Sequence, residues 1–270
     1  AYALINQSTP VQELVLIDID KERAIGEALD LSHGTSYGQN HIKVKAGDYS
    51  DCADADIVCV SAGANQEIGE TRLDLVAKNK IVFESVVKQV VASGFDGIFL
   101  IATNPVDIMT HYTWQVSGFA RHKVIGSGTT LDTARLRYEL SNAGEISPHN
   151  VHAYIIGEHG DSEFVPWECA SIGTQPITDY LNPEQMTNIE NCVKNAAYEI
   201  ISKKGNTSYG IGMCLVKITN AILNNENTVL SVSTYDEAND VFIGLPAIIN
   251  RSGIKKKLRL TLSKDSEERL

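Results

Sequence analysis

The chain has 270 residues, 43% hydrophobic and 21% charged, the make-up of an ordinary globular protein large enough for one big domain or two. Its formal charge of −11 argues against a nucleic-acid partner, so any anionic substrate must be met by local positive charge. No apolar run approaches the about eighteen residues of a membrane span, and no secretory signal opens the chain. Five scattered cysteines, without a CxxC pair or metal-ligand spacing, fit reduced thiols in a cytosolic enzyme with no metal.

In chain order, "AYALINQ" reads as the middle of an uncapped helix. The apolar runs "ELVLID" (13–18), "ADIVCVSAG" (55–63), "GIFLIAT" (97–103) and "KVIGSG" (123–128) read as buried strands bounded by Gly, Asp or Asn. Helical stretches separate them, the longest at 71–94 and closed by a glycine. This alternation predicts a parallel sheet covered on both faces, a Rossmann-type α/β unit over 1–127. A helix over 129–144 then leads into the strand-like "VHAYII". Helices follow at 183–203 and 207–224, with extended runs at 228–235 and 240–244, a second, α+β unit over 128–270. The stretch "GIKKKLRL" reads as a strand with solvated lysines, and the final "EERL" as the start of a helix. Both termini look cut.

Several positions could carry chemistry. Asp18 ends a strand where an acid can accept hydrogen bonds from an adenosine ribose, although the glycine fingerprint expected about 20 residues earlier would fall before Ala1. An Asp there is also an ordinary turn former or helix cap. In "SAGANQEIGETRLDL", Gly63 and Gly69 flank a polar loop that runs into a helix, the look of a mobile lid with Arg72 at its hinge. "ATNPVDI" places Asn104 at the carboxyl end of a strand, where open α/β sheets bind ligands. "LDTARLR" puts Asp132 and Arg135 at i, i+3 on one helix face, either as a weak surface ion pair or facing a pocket. "GEHGDS" holds His159 between two glycines and two acids, a surface turn if taken alone.

The motifs "AGANQ…GETRLDL", "TNPVD", "VIGSGTTLDTARLR", "GEHGDS" and "KKGNTSYGIG", in this order and spacing, resemble the L-lactate/malate dehydrogenase family, most of all its bacterial L-lactate dehydrogenases. The resemblance spans essentially the whole chain. It implies NAD as cofactor, held by Asp18, Gly63 and Asn104. His159 would be the proton donor and acceptor, with Asp132 on its far ring nitrogen. Arg135 would grip the substrate carboxylate, Arg72 would polarise the carbonyl, Asn104 would bond near it, and Thr207 would line the methyl pocket. Similar malate dehydrogenases carry an arginine where this chain has Gln66, so pyruvate and lactate are favoured over oxaloacetate, with bulkier 2-oxo acids as an alternative. Arg137 and His152 match positions that bind fructose bisphosphate in activated members. The resemblance also implies a homotetramer in the cytoplasm. Two other classes compete: a cofactor-free structural fragment, and an NAD-dependent glycosidase, whose Cys and His metal pair the pocket motifs lack.

Overall fold

A computed structural model describes residues 1–64 and 72–270, with side chains from residue 75 onward in the second stretch. Helix α1 (Tyr2–Asn6) is followed by β1 (Glu13–Leu16), α2 (Lys21–Gly34) and β2 (Lys43–Ala46). The Asp20 side chain caps α2 by accepting from the Arg23 N–H at 3.1 Å. β1 and β2 pair in parallel as a two-stranded sheet.

β3 (Ile57–Val60), α3 (Arg72–Ala92), β4 (Ile98–Ile101), α4 (Val106–Ser117) and β5 (Val124–Gly126) continue the alternation, and the three strands are parallel. β4 shows why these runs lack a polar face. Phe99 and Ile101 pack with Phe83, Val87 and Met109 from α3 and α4. Ile98 and Leu100 point the other way, a consequence of the two-residue strand period. They meet Ile218 and Ile222 of α7 (Tyr209–Leu223). Helices thus cover both faces, as the apolar runs require.

The sheet is not purely parallel. β9 (Thr228–Asp236), β10 (Val241–Asn250) and β11 (Gly253–Lys257) extend it antiparallel, in the order β11-β10-β9-β5-β4-β3. β10 also runs well past the "DVFIG" segment through the apolar "LPAII". The remaining elements are α5 (Thr130–Gly144), a small sheet of β6 (Val151–His152), β7 (Ser171–Ile172) and β8 (Gln175–Pro176), then α6 (Pro183–Lys204) and the final α8 (Lys264–Arg269). A reciprocal capping box between Asn182 and Gln185, with Pro183 in the first turn, starts α6.

The run "VHAYII" is a strand only at Val151–His152. Beyond it, backbone groups are satisfied by side chains instead of a ladder. The Ile155 N–H donates to Thr133 Oγ1 at 3.0 Å, and its carbonyl accepts from Thr129 at 2.7 Å and Ser231 at 2.8 Å. Those hydroxyls replace a neighbouring strand and tie the run to the start of α5 and to β9. Among the described residues no helix is long and apolar enough to cross a membrane. All five cysteines are free.

Candidate active site

The site forms beyond the carboxyl ends of β3, β4 and β5, where Gly63, Asn104 and the start of α5 follow their strands. Fully buried Asn79 joins the first two: its Oδ1 accepts from the Ala64 N–H at 2.8 Å, and its Nδ2 donates to the Asn104 carbonyl at 3.0 Å. Gly63 sits so close to this frame that a Cβ would lie 2.7 Å from Thr103 Cγ2 and 3.1 Å from Asn79 Oδ1. The exposed Asn104 is linked to Pro105 by a cis peptide bond. Asp18 is exposed just past β1, its Oδ1 accepting from the Asp20 N–H at 2.9 Å. Its neighbour Ile17 packs against the β3–β4 core, which fixes the same end of the fold.

His159 and Asp132 meet here. The imidazole Nδ1 lies 2.6 Å from Asp132 Oδ2, while Arg135 Nη1 donates to Asp132 Oδ1 at 2.9 Å. Asp132 is 2% exposed and Arg135 15%, so this is no surface ion pair. Among the described residues Arg135 bonds only Asp132, which uses one of five guanidinium donors and leaves a fork able to take a carboxylate. With Nδ1 bound to Asp132, Nε2 is the ring nitrogen left to exchange a proton with a substrate oxygen. Of the two glycines flanking this loop, only Gly157 takes a positive φ, +97°. That conformation lets residues 156 and 157 bridge to both Phe164 and Gly244 before the chain turns into His159.

The electrostatics follow from burial and pairing. Burial opposes charge on the ring, but Asp132 and Glu163 outweigh it and raise the His159 pKa from 6.5 to about 10. Burial likewise opposes charge on Asp132, yet the His159 bond and the Arg135 charge hold its carboxyl below the usual range. The ligating atoms of Asp132, His159 and Glu163 all lie within 4.8 Å of one another. The 2.6 Å contact is nonetheless that of a proton between partners. Two ligands on one ion, with bonds of about 2.1 Å at tetrahedral angles, would stand farther apart.

The other expected residues fall as follows. Gln66 lies outside the described residues; Arg72 opens α3, with its side chain likewise outside them. Thr207 is half-buried between α6 and α7. Arg137 lies away from His159: its Nε donates to the Ala153 carbonyl at 3.2 Å, and its guanidinium sits 5.0 Å from the Tyr154 ring centre. His152, the residue before Ala153, is exposed.

Three residues escaped sequence reasoning. Asp107 in the first turn of α4 is 6% exposed, and its Oδ2 accepts from the His159 backbone N–H at 2.8 Å. Burial raises its pKa to about 6. Asn79 and Glu163 are the other two. Asn79 had a signal, since it is the polar member of the stripe Asn79, Phe83, Val87, Val90 along α3. Asp107 read as an ordinary acid at a helix start.

A surface cleft of about 320 Å³ lined by Asp56, Gly97, Lys123 and Arg251 lies elsewhere. Asp56, Gly97 and Lys123 precede β3, β4 and β5, which places it at the amino ends of the strands, opposite the histidine.

The model of the lactate/malate dehydrogenase NAD binding domain matches residues 1–126, and that of the family's alpha/beta C-terminal domain matches 129–270. L-lactate dehydrogenase 2 of Peribacillus psychrosaccharolyticus is 54% identical over 99% of this chain and 87% of its own. The L-lactate dehydrogenase of Bacillus velezensis is 53% identical over the same shares. A crystal structure of a lactate dehydrogenase from a Medee basin deep-sea metagenome library superposes with a TM-score of 0.96 at 50% identity, covering 100% of this chain and 89% of that one. The ligand-bound minor L-lactate dehydrogenase of Enterococcus mundtii gives 0.97 at 46% identity, over 99% and 88%. The chain belongs to the lactate/malate dehydrogenase family.

Proposed function

We propose that the protein is an NAD-dependent L-lactate dehydrogenase in which His159 moves the proton and Arg135 holds the substrate carboxylate. The observation that carries this reading is the buried relay from Arg135 through Asp132 to the His159 ring. NAD suits the residues present: Gly63 leaves a cradle that a Cβ would fill, and Asp18 and Asn104 stand at the same end of the strands. When bound, the dinucleotide supplies or accepts the hydride.

In pyruvate reduction the protonated ring gives its Nε2 proton to the keto oxygen. Asp132 keeps Nδ1 protonated and balances the positive charge of the imidazolium, so the ring stays aimed. Arg135 orients the substrate from the neighbouring helix turn. Asn104 bonds near the carbonyl, and Thr207 lines the methyl side. Arg72 polarises the carbonyl as charge grows on its oxygen. Neutral Gln66 offers nothing to a second carboxylate, which favours pyruvate over oxaloacetate. Arg137 and His152 are the candidate residues of a fructose bisphosphate site, in a cytoplasmic homotetramer with residues 1–127 as the nucleotide unit and 128–270 as the substrate unit.

NADH consumption with pyruvate, oxaloacetate and a branched 2-oxo acid tests the substrate assignment. Pyruvate should give the highest kcat/KM, and Gln66→Arg should raise the oxaloacetate to pyruvate ratio by at least about 10-fold. A ratio that stays put rejects the role of Gln66.

A further inference from the structure

Glu163 stands on the same imidazole and has no part in the relay. It is 3% exposed, follows His159 by four residues, and its Oε2 lies 3.8 Å from His159 Nδ1. Among the described residues that oxygen has no hydrogen-bond partner. A buried carboxylate with an orphan oxygen is costly, so its charge persists only while a cation faces it. Among the described residues the cation that faces it is the imidazolium, whereas Arg135 donates to Asp132. The other groups around this pair are Asp132 and Arg135 from α5 and Asp107 from α4, with Glu158 near Asp107 and, near Asp132 and Arg135, Cys214 from α7, whose thiol burial pushes up to about 12.

From this geometry we infer that Glu163 is a second positioning carboxyl, ionised while His159 is protonated and protonated when the ring is neutral, so that two acids jointly set the pH at which pyruvate reduction gives way to lactate oxidation. Burial, with the neighbouring Asp132 carboxylate adding to it, raises the Glu163 pKa to about 7 against opposition from His159, which agrees with such an exchange. The sign follows directly. A negative Glu163 favours the imidazolium and extends reduction to higher pH; a neutral side chain there lets the ring lose its proton sooner. The inference rests on His159 as the proton-transfer group. A His159→Gln protein with undiminished turnover would remove that reading, whatever Glu163 does.

The experiment is a pair of pH profiles of kcat for pyruvate reduction and lactate oxidation in the wild type, Glu163→Gln and Glu163→Asp. The Gln variant should move the crossing of the two profiles down by about one pH unit. The Asp variant, with its charge kept but retracted, should restore part of that shift. Unmoved profiles, or a uniform loss at every pH with the crossing in place, would overturn the inference. Should the Gln variant not fold, ¹³C NMR of the wild-type Glu163 carboxyl decides. Titration in step with the His159 ring supports the coupling, and an ordinary carboxylate titration without response from the ring refutes it.

Discussion

Helix α5 carries charge on two faces, and the faces obey different physics. On one, Asp132 and Arg135 are nearly buried, each tied to the other, with Asp132 also tied to His159. On the other, Arg137 leans on a tyrosine ring and on the carbonyl of the residue after the exposed His152. A charge in the first place must be matched by a partner of fixed geometry, because desolvation is severe. The charge in the second, half-buried, has no carboxylate partner among the described residues. Two residues of separation along one helix thus divide the proposed proton-transfer site from the proposed activator site.

The comparison can be broken by experiment. The largest effect is expected from Asp132→Asn, which keeps the shape and removes the charge. It should lower kcat for pyruvate reduction by about 10²–10⁴ and move the alkaline limb of the profile to lower pH, since the raised His159 pKa depends on that carboxylate. A loss under tenfold would show that the relay is not what powers the proton transfer.

Next comes Asp107→Asn, which weakens the hold on the His159 backbone and leaves the ring's bond to Asp132 in place. Thermal or urea unfolding should show a loss of about 1–3 kcal/mol, with a smaller fall in kcat than Asp132→Asn gives. Equal stability would mean that the 2.8 Å bond contributes nothing net.

The smallest effect on basal turnover is expected on the other face. Under the proposed activator site, the ratio of pyruvate KM without and with fructose bisphosphate should exceed one in the wild type and fall to one in Arg137→Gln. A response as strong as the wild type's would place the activator elsewhere.

Much of this division was legible in the chain, for identifiable reasons. Runs such as "GIFLIAT" signal strands because both faces are buried, and the i, i+3 spacing of Asp132 and Arg135 puts them on one helix face whatever surrounds them. The backbone after His152 departs from a strand because its partners are hydroxyls from Thr129, Thr133 and Ser231, 22 to 76 residues away, which periodicity does not register. Asp107 and Glu163 escaped for a related reason. An acid's role depends on what buries it, and both are buried against a loop whose path no local spacing reveals.

The antiparallel extension of the sheet has a practical corollary. The strand pairing of Gly126 with Ser233 and the Asp107 clamp on His159 both cross the line between the segments matched by the two family models. Swapping one segment for a homologue's would leave a mismatched seam running through the proton-transfer loop itself. Chimeras that exchange residues 228–250 together with the first segment should therefore retain function better than those cut at the apparent boundary.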